Sequence, residues 1–217
     1  MTNEEPTGPT VSRGAEAALR KVDWWGFPAL LKDRDPKSYR PKALDDRLRR
    51  ERTRNEARLL VDARRLGVRT PIIYDIDVVR HRLILEELPG PTLRELLEDP
   101  ALPLDTLLTA VRSFGRALGR LHAGRLAHGD LTSSNVLFPD GPEKPPAFLD
   151  LSMGTRSPGL EELGIDLHLV EEDLKALHAK AEALVRAFHQ GYAEGNPDGE
   201  KEVRARGKAI RGRVRYA

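Results

Sequence analysis

The sequence predicts an α+β chain of two lobes: a small antiparallel sheet with one long helix over residues 10–88, followed by a mainly helical lobe over 89–200. Three observations predict it. Short apolar runs bounded by Gly, Pro and Asp punctuate the first ninety residues around a single long helical stretch. Glu86-Glu87-Leu88-Pro89-Gly90-Pro91 has the composition of a strand end and an extended connector, which suits a hinge between lobes. Beyond it, apolar residues recur at helical spacing, most clearly from Leu104 to Leu121.

At 217 residues with 39% hydrophobic side chains, the chain can build a core of its own. It contains no cysteine, which excludes disulfides and cysteine-based zinc sites. No apolar run approaches the roughly 20 residues of a membrane span. Residues 1–9 are polar and acidic, with Pro6 and Pro9, and read as a disordered lead rather than a signal peptide, so a cytoplasmic protein without membrane contact is expected. The net charge of +2 conceals an asymmetry. Residues 201–217 form a basic C-terminal tail with seven cationic side chains against Glu202 alone, which is the footprint of a polyanion partner or simply a solvated end.

Thr10–Arg13 is a candidate first strand, broken at Gly14, and Ala15–Val22 a second; Gly14 is the one glycine available there to a phosphate-covering hairpin. Phe27–Lys32 reads as a strand after a turn at Gly26, with Pro28 near its start where a missing N–H is tolerated. Lys32 closes it and can reach nucleotide phosphates, provided a carboxylate fixes its position. The helix Leu44–Leu66 carries the apolar stripe Leu59, Leu60, Ala63 and Leu66, with Gly67 as its C-cap. Glu56, three and four residues before Leu59 and Leu60, projects from the same stripe, whereas Glu51 is offset from it; Glu56 is therefore the expected partner of Lys32. The same helix holds more arginines than its acids neutralise, either a solvated face or a second polyanion contact. Strands at Ile72–Asp77 and Arg82–Leu85 follow, and the backbone at Glu86 and Leu88 is placed to meet a base edge.

In the second lobe Thr92 caps a short helix, with Glu95 completing a capping box. The amphipathic helix from Leu104 runs to Gly124, and His122 at its end is read as structural. Next comes His128-Gly129-Asp130-Leu131-Thr132-Ser133-Ser134-Asn135, a loop between an apolar helix and a short apolar run at Val136–Phe138. Its Asp can accept a hydroxyl or water proton, and the Asn carbonyl five residues on can hold a Mg²⁺ ion on phosphates. A second metal-binding acid is then required just after a strand, and Ala147-Phe148-Leu149 leads into Asp150. An Asx-rich turn with a satisfied His is the structural alternative, which the position of Asp150 disfavours. Kinase-type phosphoryl transfer is the chemistry these residues suit, with ATP and Mg²⁺ as cofactors, Asp130 catalytic, and Asn135 and Asp150 on the metal. Gly154–Gly164 is expected to be a loop and Ile165–Ala176 a helix, with Asp166 either on the catalytic-loop backbone or a plain helix N-terminal acid. A last helix, Glu182–Ala193, is broken by Gly195–Gly199.

These residues resemble one family, the small atypical kinases of the KEOPS complex, or PRPK-like kinases, which serve threonylcarbamoyl-adenosine modification of tRNA. The resemblance covers nearly the whole chain. It rests on Gly14-Ala15-Glu16-Ala17, Ala29-Leu30-Leu31-Lys32, Tyr39-Arg40-Pro41, Leu48 through Leu60, Gly129 to Asn135 and the Arg-rich end. It implies a minimal two-lobed protein-kinase-like fold without a long activation segment or the late helices of ordinary protein kinases. It also implies Lys32 on the ATP phosphates, Glu56 as its ion-pair partner, Asp130 as catalytic Asp, and Asn135 and Asp150 on Mg²⁺. The activity it implies is an ATPase supporting a tRNA-modifying transferase, with serine/threonine kinase activity seen as autophosphorylation. The implied partners are the threonylcarbamoyl-transferase subunit on the C-lobe, a small subunit on the N-lobe, and tRNA through the tail, where Arg204, Arg206, Arg211 and Arg213 are contact candidates. The chain departs from the pattern at Asp150-Leu151-Ser152, which stands in place of Asp-Phe-Gly: Leu151 can serve as the apolar anchor, but Ser152 lacks the backbone freedom of Gly. The match around Ile165-Asp166-Leu167 is loose. Two other readings share these residues. One is a small-molecule kinase of the aminoglycoside-phosphotransferase kind, which needs neither the Arg-rich helix nor the tail; the other is a non-catalytic ATP-binding scaffold, supported only by Ser152.

Overall fold

The structure, a computed structural model, describes residues 8–13 and 17–214. A five-stranded antiparallel sheet opens the chain: β1 (Thr10–Arg13), β2 (Ala18–Trp24), β3 (Phe27–Asp33), β4 (Ile73–Asp77) and β5 (Arg82–Glu86), in the order β1-β2-β3-β5-β4. Helix α1 (Lys42–Arg65) lies between β3 and β4 in sequence. The helical lobe contains α2 (Leu93–Glu98), α3 (Leu104–Ala123), α4 (Leu160–Leu177), α5 (Ala181–Gly195) and α6 (Glu200–Val214). Between α3 and α4, β6 (Leu126–Ala127) pairs with β9 (Thr155–Arg156), and β7 (Val136–Leu137) with β8 (Ala147–Phe148). Among the described residues no helix is long and apolar enough to cross a membrane.

The β2–β3 turn is tight because Trp25 and Gly26 both take positive φ, the geometry that matches strand twist, and Asp23 Oδ1 accepts from Gly26 N at 2.9 Å. The pleat of β5 divides the sheet's two faces. Leu83 and Leu85 join the main core with Leu59, Leu60 and Ala63 of α1, whereas Ile84 packs with Val22, Ala29 and Leu31 on the other side. The predicted stripe of α1 is thus the surface by which the first lobe shares the core of the second. Thr92 and Glu95 form the expected capping box.

Several boundaries differ from the expectations. Gly14, Ala15 and Glu16 lie outside the described residues, as do residues 1–7 and the side chain of Arg213. Pro9, expected in the lead, is already held, its carbonyl accepting from Lys21 N at 3.1 Å. Helix α4 starts at Leu160, inside the expected loop: the Glu162 carboxylate accepts from Gly159 N at 3.0 Å, so the acids read as loop residues form the cap and first turn of a helix. The C-terminal tail is also helical over Glu200–Val214. It packs on α4 through buried Val203 and through Gly207, which faces Gly164 closely enough that a Cβ on Gly164 would lie 3.1 Å from Gly207 N. Glycine gives no apolar signal in a periodicity, which is why this stripe is not legible from hydrophobic spacing.

Helices α3 and α5 approach to backbone contact through Gly115, Gly119, Gly191 and Gly195; a Cβ on Gly191 would sit 1.9 Å from the Arg112 carbonyl oxygen. Arg112 and Arg116 of α3 clamp Glu194 of α5 beside this seam, their Nε atoms donating at 2.7 Å each. Gly191→Val must therefore push the helices apart. We expect it to lower unfolding free energy by about 1–3 kcal/mol or more in urea titrations, the usual penalty for overpacking; an unchanged midpoint contradicts the close approach.

Candidate active site

Lys32 stands on β3 where it pairs with Leu19 of β2 and Leu83 of β5, so its side chain leaves the sheet toward α1. Its Nζ donates to Glu56 Oε1 at 2.6 Å and lies 2.8 Å from Asp150 Oδ1. Glu56 is fully buried, and its second oxygen is held by the Arg34 guanidinium, itself only 2% exposed. One carboxylate on α1 thus neutralises two buried cations from the end of β3. Sequence reasoning found the Lys32–Glu56 pair and missed Arg34. The available signal was strand period: Arg34, the residue just past β3, lies two positions after Lys32 and faces the same way if the extended backbone continues by one residue.

The loop carrying Asp130 is fixed from beneath by Asp166 of α4. Its Oδ2 accepts from His128 N at 2.7 Å and its Oδ1 from Gly129 N at 2.8 Å, while His122 Nε2 lies 3.2 Å away. Of the two roles considered for Asp166, the structure gives it the backbone of the loop that carries Asp130. Burial pushes this carboxyl up, but His122 and the backbone donors outweigh that, and its pKa ends below the ordinary value. His122, structural as expected, leans on the Tyr192 hydroxyl (2.8 Å), to which Asn196 also donates (3.1 Å). His128 is buried and held neutral by that burial. With Nε2–H donating to the Leu149 carbonyl at 2.9 Å, its Nδ1 accepts from Asp130 N at 3.4 Å, tying the loop to the segment that ends in Asp150. Gly129 has φ 82°, and a Cβ there would meet Met153 O at 2.2 Å, so only glycine fits.

Asn135 ends a short 3₁₀ turn, Ser133–Asn135, whose Ser133 N is capped by Asp173 Oδ2 at 2.6 Å. Its Nδ2 donates to the Asp130 carbonyl at 2.8 Å, which leaves the amide oxygen as its free acceptor. Asp150 adopts φ 52°, a left-handed conformation that Asp tolerates. Burial pushes its carboxyl up, yet Lys32 beside it, with Ser152 and Arg34, holds it well below the usual carboxylate range, so it is ionised. Ser152 is not at positive φ; it is buried, and its N–H donates to Asp150 Oδ1 at 3.3 Å. The left-handed residue of this segment is Asp150, so the freedom of Gly is not needed at 152. Leu151 is fully buried as the apolar anchor. Asn55 of α1, another residue that sequence reasoning missed, donates to Gly154 O at 2.9 Å and holds the segment against the helix.

A cavity of about 510 Å³ joins these groups. Leu19, Leu30, Leu85, Leu88, Leu137 and Leu149 give it an apolar slot, and Lys32, Glu56, Asp130, Asn135 and Asp150 converge at one side. Glu86 and Leu88 line it at the hinge; the Glu86 carboxylate is turned to β4, accepting from Ile72 N at 3.0 Å. The volume and the apolar-plus-convergent-polar lining are those of a small-ligand site. The oxygen donors suit Mg²⁺: an ionised carboxylate and an amide carbonyl are hard ligands. Among the described residues no cluster of three acidic or imidazole groups could hold a metal alone, so these two oxygens fit an ion that arrives with phosphates.

Of the C-terminal arginines, Arg204, Arg206 and Arg211 are engaged. Arg204 Nη1 lies 3.2 Å from Glu200 Oε1, Arg206 pairs with Glu161, and Arg211 pairs with Glu171 of α4.

Over 216 aligned residues the chain is 33% identical to the KEOPS complex subunit Bud32 of Pyrococcus abyssi, and the match covers 95% of each protein. The chain belongs to the Bud32 family. It is also 37% identical over 213 residues to the probable bifunctional tRNA threonylcarbamoyladenosine biosynthesis protein of Methanosarcina mazei. The protein of the same description in Halobacterium salinarum is 39% identical over 212 residues. Both matches cover 98% of this chain, which spans 36% of the length of those bifunctional relatives. No family model matches. Among solved structures, the Rio2 kinase from Chaetomium thermophilum, in a complex with ADP/Mg²⁺ and phosphoaspartate, superposes with a TM-score of 0.63 at 15% identity, covering 98% of this chain and 72% of that one. That likeness carries the fold: the Bud32 family shares the two-lobed kinase architecture, and the α+β expectation holds.

Proposed function

We propose that the chain is a Mg-ATP-dependent atypical serine/threonine kinase and ATPase that supports threonylcarbamoyl-adenosine modification of tRNA within a cytoplasmic KEOPS-type complex. The observation that carries this reading is the convergence of Lys32, Glu56, Asp130, Asn135 and Asp150 on one cavity with an apolar slot. The base occupies the slot between the leucines and meets the hinge backbone at Glu86 and Leu88. Lys32, steadied by Glu56, turns from Asp150 to the α- and β-phosphates. Asn135 and Asp150 would hold Mg²⁺, which would neutralise phosphate charge there. Asp130 orients a serine hydroxyl or a water in line with the γ-phosphorus and accepts its proton.

The short segment after Asp150 supports an ATPase emphasis. Helix α4 begins ten positions later, at Leu160, which leaves little chain to dock a folded protein substrate. The scaffold reading loses its one support, because Ser152 occupies a conformation open to any residue. The proposed partners are a threonylcarbamoyl-transferase subunit on the C-lobe, a small subunit on the N-lobe, and tRNA. Contact with tRNA through Arg204, Arg206 or Arg211 has to trade away their present ion pairs. ATP hydrolysis by the purified chain with Mg²⁺ is expected to rise several-fold on adding bulk tRNA together with a KEOPS-type transferase. A rate indifferent to both, or one that rises instead with a sugar or amino alcohol, overturns the assignment.

A further inference from the structure

The structure assigns an RNA-binding surface to the outer face of α1: we propose that its exposed arginines dock the phosphate backbone of a double-helical RNA stem. Arg47, Arg50, Arg54 and Arg58 are all exposed, and among the described residues none of the four makes a hydrogen bond or an ion pair. At about 100° per residue they fall within an arc of about 80°, on the side of the helix opposite Glu56. This contrasts with α6, whose Arg204, Arg206 and Arg211 are paired with acids. Sequence charge alone points to the C-terminus as the electrostatic footprint; ion pairs occupy Arg204, Arg206 and Arg211 there, leaving Lys201 and Lys208 exposed on α6, while the four arginines of α1 stand together on one face without such pairs.

The surface continues past the helix. A groove of about 500 Å³ at the end of α1 is lined by Arg65, Arg125 and Arg156; Arg65 and Arg156 share Asp62, its single acid, so three cations face one carboxylate there. From Arg47 to Arg65 the helix rises about 27 Å, a rigid cationic edge of the length needed to follow several phosphates. Guanidinium groups suit phosphate by their planar, bidentate geometry. Residues 42–65 include no aromatic side chain. Unpaired bases need such rings to stack on, so the face is fitted to backbone rather than to single-stranded loops. A membrane surface is a poor match as well, because the arc lacks the broad apolar flank of an interfacial helix.

The inference rests on the proposed service to tRNA and is tested apart from it. Binding of fluorescent bulk tRNA to the full chain is measured across a salt series for wild type, for R50E/R54E/R58E, for R50K/R54K/R58K and for R204A/R206A/R211A. The charge-reversal variant is expected to lose at least about tenfold in affinity, with the salt slope lowered by about three, one per lost phosphate contact. The lysine variant is expected to retain the slope, which separates lost charge from lost folding, and the α6 variant to change affinity less than the α1 reversal. Unchanged tRNA affinity in the charge-reversal variant overturns the surface. So does an effect confined to α6, or a loss of transferase-subunit binding with RNA binding intact, which would make the face a protein interface. Basal ATP hydrolysis in the same preparations reads the catalytic proposal independently, because none of these arginines lines the nucleotide cavity.

Discussion

Replacing Asp130 by Asn is expected to slow ATP turnover by about two to four orders of magnitude, the usual contribution of a general base, with nucleotide affinity close to wild type. The expectation follows from how the loop is held. The backbone of Asp130 is fixed by His128 Nδ1 on its N–H and by Asn135 Nδ2 on its carbonyl, and neither bond involves the carboxylate. Among the described residues that carboxylate accepts no hydrogen bond, and it is exposed at the cavity. An amide of the same shape therefore leaves the loop, the Asn135 oxygen and the Lys32 pair in place and removes only the basicity. Steady-state hydrolysis beside a nucleotide titration separates the two quantities. Turnover at the wild-type rate would remove Asp130 from the mechanism; joint loss of binding and turnover would make it a structural residue of the loop.

Glu56→Ala is expected to cost about 3–5 kcal/mol of stability, the penalty for removing one partner of a buried ion pair. Lys32 and Arg34 are 5% and 2% exposed and meet on this one carboxylate. Lys32 retains Asp150 as a neighbour, whereas Arg34 has no other side-chain partner among the described residues, so the uncompensated charge falls mainly on the guanidinium. Urea unfolding with and without nucleotide measures the cost. A loss below about 1 kcal/mol would mean that the two cations reach water or other acids when Glu56 is removed. The same variant is expected to raise the ATP requirement, because Lys32 then remains on Asp150 and off the phosphates.

The local patterns were read correctly where one residue's chemistry dominates its neighbourhood. The α1 stripe, the Thr92–Glu95 capping box and the Gly124 end of α3 all follow from period and cap chemistry. Boundaries failed where a side chain acts across the chain or where glycine does the packing: Glu162 starts α4 five residues early, and Gly164 with Gly207 docks a helix that charge composition presents as a tail.

The sequence by itself determined which groups are available: a lysine at a strand end, an acid on the facing stripe, a loop Asp and Asn, and an acid after a strand. Their types and spacings survive any modest error in element ends. Only the tertiary structure decided which of them are shared or already spent. Arg34 joins Lys32 on Glu56, Asp166 holds the Asp130 loop from 36 positions beyond Asp130, and Arg204, Arg206 and Arg211 are paired with acids while Arg47, Arg50, Arg54 and Arg58 of α1 are not. The physical reason is that charge is counted locally in a sequence but neutralised through space. Whether a cation is a ligand for phosphate or half of an ion pair depends on which helix lies against it.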